Sequence, residues 1–148
     1  MEWKLNHAIV YPTVDCAIFD EVYQYILLAR KKNQTLYRFV GGFVDPADQS
    51  YEMAALREAN EETGLLCHDV SYVISQKVND PRYAEKDDKI ITTLYAMCTP
   101  APLGDAVASD DIEEVKVFEF NGLTEEMLVE EHRTLLAALR CKWGNGMA

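Results

Sequence analysis

Apolar and polar positions along the chain change period several times, and each change marks an element. Thr13–Phe19 (TVDCAIF) and Tyr23–Leu28 (YQYILL) are rich in β-branched and aromatic residues, and only the polar Asp20-Glu21 pair separates them. That layout predicts two strands joined as a hairpin. Tyr37–Val40 is a short aromatic run that ends at Gly41-Gly42, a pair read as a loop. From Ser50 the pattern turns helical, with Ser50 as N-cap, Glu52 in the first turn and Gly64 as C-cap. Val70–Val78 and Ile90–Cys98 predict two further strands, with the charged segment Asn79–Lys89 as a loop between them. Beyond the Pro100–Gly104 loop, Val115–Phe120 predicts a short strand. Thr124–Arg140 closes the pattern as an amphipathic helix with Leu128, Leu135, Leu136 and Leu139 as its apolar stripe. Thr124 is its candidate cap, and Arg140 suits its last turn. Strands and helices mix without a βαβ rhythm, so the fold class is α/β in the broad sense, α+β by arrangement.

Composition narrows the class without changing the elements. A chain of 148 residues, 49% hydrophobic and 26% charged, predicts one globular domain with a real core. No run approaches the roughly 18 apolar residues of a membrane span. The opening Met1-Glu2-Trp3-Lys4 lacks the layout of a secretory signal, so a cytoplasmic location is expected. Cys16, Cys67, Cys98 and Cys141 are scattered and never form a Cys-x-x-Cys pair, which predicts buried free thiols in a reducing compartment ahead of disulfides or zinc ligands. The net charge of −11 argues against a nucleic-acid partner, and against a polyanionic substrate unless a cation mediates.

Charge matters most on the helix after Ser50. With Glu58 at zero and about 100° per residue, Glu61 lies about 300° round and Glu62 about 40°, so three carboxylates share a face. Ala54 and Ala55 lie one turn earlier on that face, where small side chains would give a ligand room. Met53, Leu56 and Asn60, with Ala59 beside them, read as the packing face. Arg57 stands at the edge of the carboxylate face, close to Glu61, and can orient acidic side chains. Three clustered carboxylates suit a hard divalent cation. A solvated acidic face would have the same spacing.

The segment Gly42–Leu65 resembles the Nudix box: Gly, five residues, Glu, seven residues, then Arg-Glu-apolar-x-Glu-Glu-x-Gly-apolar. Arg57-Glu58-Ala59-Asn60-Glu61-Glu62-Thr63-Gly64-Leu65 matches the second half at each fixed position. In the first half Asp48 stands where the family has Glu, and eight residues rather than seven separate it from Arg57. Either Asp48 or Glu52 is then the acid that orients Arg57. The element order also resembles the Nudix α/β/α sandwich with a mixed sheet, which implies a single Nudix hydrolase domain over 1–148. Tyr11–Phe19, Gly41–Asp45 and Asp80-Pro-Arg-Tyr83 look similar to the branch of the family that acts on ADP-ribose.

The resemblance implies hydrolysis of a diphosphate bond in a nucleoside diphosphate derivative, with ADP-ribose giving AMP and ribose 5-phosphate. Dinucleoside polyphosphates, NADH and nucleoside triphosphates are the alternative substrates. Glu58, Glu61 and Glu62, with the carbonyl of Gly42, would hold Mg²⁺ or Mn²⁺, and Arg57, Glu58 and Glu61 would act in catalysis. The base would be Glu58, Glu61 or a loop acid among Asp87, Asp88, Asp110, Asp111, Glu113 and Glu114. Arg82, Arg30 and Arg38 are candidates for the phosphates, and Tyr37, Phe43 or Tyr83 for a base, each with a surface or packing role as its plain alternative. His132 on the last helix reads as a packed core histidine. A homodimer through the N-terminal strands and the final helix fits proteins of this type. A non-catalytic ligand sensor is the competing class; the three glutamates, the acidic charge and the eight residues after Arg140 count against it.

Overall fold

The computed structural model describes residues 8–79, 89–109 and 111–143. The chain runs β1 (Val10–Asp20), β2 (Tyr25–Lys31), β3 (Val40–Phe43), α1 (Tyr51–Thr63), β4 (His68–Val78), β5 (Lys89–Thr99), β6 (Ile112–Glu119) and α2 (Glu130–Trp143), with short 3-10 turns before and after β6. Six strands form one mixed sheet in the order β4-β5-β1-β2-β6. β3 sits beside β1, because the eleven-residue β1 divides one edge between two partners. Its first half takes β3 (Thr13↔Phe43 to Cys16↔Val40), and Ile18 and Phe19 take β2. Its other edge pairs in parallel with β5 along the whole length.

This central strand is buried on both faces, as its apolar run demands. Alternation sends Val14, Cys16 and Ile18 toward α1, where they pack with Leu27, Ala29 and Val40. Ala17 and Phe19 face α2, with Ile26, Leu28 and Phe39. A helix on each face of a mixed sheet is the α/β/α arrangement that the Nudix resemblance implies. The predicted hairpin is also present: Asp20 turns it by accepting the backbone N–H groups of Gln24 (2.9 Å) and Tyr25 (3.1 Å).

The glycine pair, the packing of α1 and the start of α2 differ from expectation. The glycine pair is not a loop but the middle of β3. A Cβ on Gly41 would lie 2.1 Å from the Val14 carbonyl oxygen, so only glycine lets these strands pair here. Next, α1 packs through Ala54 and Ala55 as well as the expected Ala59, with Leu56 half-buried against the same cluster, whereas Met53 is 55% exposed and Asn60 also faces solvent. Small side chains there do not clear room for a ligand; they let the helix settle onto the glycine-containing strand. Finally, α2 begins at Glu130 rather than Thr124. Tyr37 N–H donates to the Met127 carbonyl (2.9 Å) and Val129 N–H to the Tyr37 carbonyl (2.8 Å), which holds that segment extended. Thr124 instead precedes a 3-10 turn and makes no side-chain cap. Leu128, Leu135, Leu136 and Leu139 are nevertheless all buried.

The caps of α1 follow the pattern. Ser50 Oγ accepts the Met53 N–H at 3.0 Å, and Gly64 closes the helix at φ 76°. At the other end of the chain, Arg140 donates to the Phe120 and Leu123 carbonyls. Cys16 and Cys98 are buried, but Cys67 is half-buried and Cys141 exposed, so the expectation of buried thiols fails for those two; α2 turns Cys141 outward. All four are free. Among the described residues no helix is long and apolar enough to cross a membrane.

His132 is buried on α2. Its Nδ1 accepts the Phe39 N–H (3.1 Å), its ring stacks on Phe39, and its Nε2 lies 3.8 Å from Asp15. Burial holds its pKa below the usual value, opposed by Asp15 and Glu131 and aided by Arg38 and Lys31. The folded protein therefore takes up this proton less readily than the unfolded chain. The stabilisation is complete above the unfolded pKa of about 6.5 and is lost as pH falls through the folded value. Urea unfolding at stepped pH should show the stability gap between wild type and His132→Gln shrinking below about pH 6.5. A gap constant with pH would contradict this.

Candidate active site

The candidate site is built where α1 crosses β3. Arg57 is its hub and uses every nitrogen of its guanidinium. Nε and Nη2 donate to the two oxygens of Asp48 at 2.9 and 2.8 Å, a bidentate fork. Nη1 donates to Glu58 and to Glu61, each at 3.0 Å, and Nη2 also reaches the Phe43 carbonyl at 3.2 Å. Asp48, not Glu52, is thus the acid that orients Arg57. Asp48 stands in the segment ahead of α1. There Asp48 Oδ2 accepts the Asp45 N–H (2.8 Å) and Asp45 Oδ1 accepts the Ala47 N–H (2.8 Å). The Arg57 fork holds the Asp48 carboxyl below the usual carboxylate range, and the same contact raises the Arg57 guanidinium further.

Glu62 turns from Arg57 to the sheet and accepts the Gly41 N–H at 2.9 Å. It is 7% exposed, and burial pushes its carboxyl up to about 7, with Glu58 and Asp111 adding to the rise. Burial also raises Glu58, against the pull of Arg57. Glu61 is the exposed member of the set, at 52% side-chain exposure. A Cβ on Gly42 would meet the Glu58 carboxylate at 2.7–2.8 Å, so the bare backbone of β3 is a wall of the carboxylate cradle. Two partly desolvated carboxylates against a side-chain-free backbone suit a hard cation with oxygen ligands.

The two glycines therefore predict different phenotypes. Gly41→Ala collides with backbone and should lower stability by about 3 kcal/mol, read as a fall in the urea midpoint. Gly42→Ala meets only a side-chain end. It should leave the midpoint nearly unchanged, while displacing Glu58 and lowering turnover about 10- to 100-fold.

The remaining candidates are dispersed. Phe43 is 41% exposed beside the Arg57 hub. Tyr37 donates its hydroxyl to Glu114 (2.6 Å), which also accepts from Arg30 Nε (3.3 Å). Arg38 lies 3.6 Å from Glu131 of α2, and its Nε has no partner among the described residues. Tyr37 packs into the α2-side cluster, so this group belongs to the face opposite α1. Of the acids expected in loops, Asp111 pairs with Lys31 (3.4 Å), whereas Glu113 and Glu114 lie in strand β6, Glu113 3.6 Å from Arg30 and Glu114 held by Tyr37 and Arg30. Arg82, Tyr83, Asp87, Asp88 and Asp110 lie outside the described residues.

Two charged residues near the site do not stand out in the pattern. Lys31 is the cation whose charge counters the rise at Glu62. Asp15, the acid in the middle of β1, accepts the Thr92 hydroxyl at 2.6 Å opposite Gly41. An acid in a strand buried on both faces is the available signal.

The NUDIX domain family model matches residues 11–139. The chain belongs to the Nudix family of hydrolases. Nudix hydrolases generally use divalent metals. The NAD-capped RNA hydrolase NPY1 of Saccharomyces cerevisiae is 38% identical over 69 residues, which covers 44% of this Nudix chain but only 18% of the yeast protein. Among solved structures, the NUDIX domain of Shewanella oneidensis NrtR, complexed with ADP ribose, superposes with a TM-score of 0.72 at 23% identity, covering 94% of this chain and 91% of that one. The MutT NUDIX hydrolase of Burkholderia pseudomallei gives 0.67 at 21% identity, over 88% and 98%. At such identities these structures establish the Nudix fold.

Proposed function

We propose that the chain hydrolyses the diphosphate of a nucleoside diphosphate derivative, and that ADP-ribose is its substrate. Water adds to one phosphorus, the bridging P–O bond breaks, and AMP and ribose 5-phosphate are the products. The observation that carries this reading is the Arg57 hub, which holds Asp48, Glu58 and Glu61 while Glu62 is anchored on β3. Glu58, Glu61 and Glu62, with the carbonyl of Gly42, would hold Mg²⁺ or Mn²⁺. Such an ion neutralises diphosphate charge and acidifies the attacking water. Glu58 or Glu61 takes the proton of that water, with Arg57 fixing the orientation of both carboxylates. Arg57 is thereby a positioning residue.

ADP-ribose leads because the NUDIX domain of Shewanella oneidensis NrtR, of the same fold over nearly the whole chain, is complexed with it. A second reading, cleavage of an NAD-type dinucleotide, is favoured by the 69-residue similarity to the yeast NAD-capped RNA hydrolase. A panel of ADP-ribose, NADH, a dinucleoside polyphosphate and a nucleoside triphosphate, assayed with Mg²⁺ and with Mn²⁺, separates them. The highest kcat/KM should fall on ADP-ribose. A maximum on NADH would support the second reading and overturn the first.

A further inference from the structure

A second group of ligating side chains lies on the other face of the sheet. Cys98, near the end of β5, is 2% exposed and packs on the α2 side. Its sulfur is 3.8 Å from His68 Nδ1, 3.7 Å from His68 Nε2 and 4.0 Å from an Asp69 carboxylate oxygen. His68 Nδ1 and that same oxygen are 3.2 Å apart. Glu21, from the β1–β2 turn, closes the group at 3.3 Å from His68 Nε2.

Neighbouring residues of a regular strand point to opposite faces, so His68 and Asp69 should not meet one sulfur. They do because β4 breaks register against β5 between His68 and Ser71, with Asp69 in the left-handed region at φ 57°. A bulge of this kind re-aims side chains.

We propose that His68 Nδ1, Asp69 and Cys98 form a zinc site, with His68 Nε2–H donating a hydrogen bond to Glu21. Zinc bonds of about 2.0–2.3 Å in tetrahedral geometry place ligand atoms about 3.3–3.6 Å apart, within a few tenths of an ångström of the spacings here. A carboxylate on the far imidazole nitrogen is the outer-shell partner that fixes a zinc-bound histidine. Sulfur with imidazole selects zinc over magnesium, so the site is chemically separate from the Arg57-braced glutamates. It is separate in space too. Cys98 pairs with Phe19, and Gly42 with Val14, which are about 16 Å apart along β1 and served by opposite faces. Metal binding would release the Cys98 thiol proton to solvent. His68 and Asp69 are exposed enough to leave the fourth position to water. The ion would clip the start of β4 to the end of β5.

Co²⁺ serves as the probe, added to reduced, chelator-treated full chain with excess Mg²⁺ present to occupy the glutamates. About one equivalent should produce a sulfur-to-cobalt charge-transfer band in the near ultraviolet, abolished by Zn²⁺. The band should persist in Cys141→Ser, whose cysteine is exposed elsewhere, and vanish in Cys98→Ser. Because Cys98 is buried, His68→Ala on a half-exposed residue gives an independent reading: affinity for Co²⁺ should fall at least about 10-fold. Zn²⁺ should also raise the Tm of wild type and not of His68→Ala. No charge-transfer band in wild type, a band retained in folded Cys98→Ser, or unchanged affinity in His68→Ala would each overturn the assignment.

Discussion

Glu62→Gln is expected to lower kcat by at least about 100-fold while leaving the metal-free protein no less stable. Loss of an outer-shell partner costs about 10- to 100-fold at metal sites, and a direct ligand costs more. The stability side follows from burial. Glu62 titrates near 7 in the folded protein, above the ordinary glutamate value of 4.5. The unfolded chain therefore gives up this proton first. Folding is favoured at low pH, and that advantage disappears as pH rises from the unfolded value through about 7. Above that, the ionised carboxylate costs on the order of 2 kcal/mol once solvent screening is allowed for. Glutamine keeps an oxygen for the Gly41 N–H and carries no charge. Thermal unfolding in chelator at pH 8 should thus give a Tm equal to or above wild type in Glu62→Gln, alongside the collapse in turnover. A lower Tm would mean that Glu62 is a structural residue.

Arg57→Lys carries the second large effect. An ammonium ion cannot reproduce a planar fork that meets Asp48 with two nitrogens and Glu58 and Glu61 with the third. Turnover should fall about 10- to 100-fold, with KM nearly unchanged because the residue acts through the carboxylates. Asp48→Asn should fall in the same range, and the double variant should be little worse than either single one, since both break one network. Losses that multiply in the double variant would show that Arg57 and Asp48 act separately.

How much of this is legible in the sequence depends on which interaction decides each feature. The α1 helix is readable because its caps are local: Ser50 and Gly64 act within a few residues. The order of strands is readable from β-rich runs broken by polar turns. The packing face of α1 is misread because hydrophobicity points to Met53 and Leu56, while the decision lies with β3. Gly42 of that strand lies against Glu58 of the helix, and the side chains α1 buries fully beside it are alanines. The start of α2 is misread because Tyr37, some ninety residues earlier, pairs with the segment that Thr124 would otherwise cap. At the candidate site, the glutamates and Arg57 are visible as a motif, but the choice of Asp48 over Glu52 depends on the turn at Asp45. The His68–Asp69–Cys98 group leaves no spacing signal at all, since a bulge and a thirty-residue separation bring it together.

The central claim is that the glutamates braced by Arg57 carry out divalent-cation-dependent cleavage of a diphosphate. It is tested most directly by following ADP-ribose by phosphorus NMR with Mg²⁺, with chelator, and with Glu62→Gln in Mg²⁺. AMP and ribose 5-phosphate should form in equal amounts from wild type with Mg²⁺, and almost none should form in the other two samples. Cleavage that proceeds unabated in chelator, or in Glu62→Gln, would contradict it.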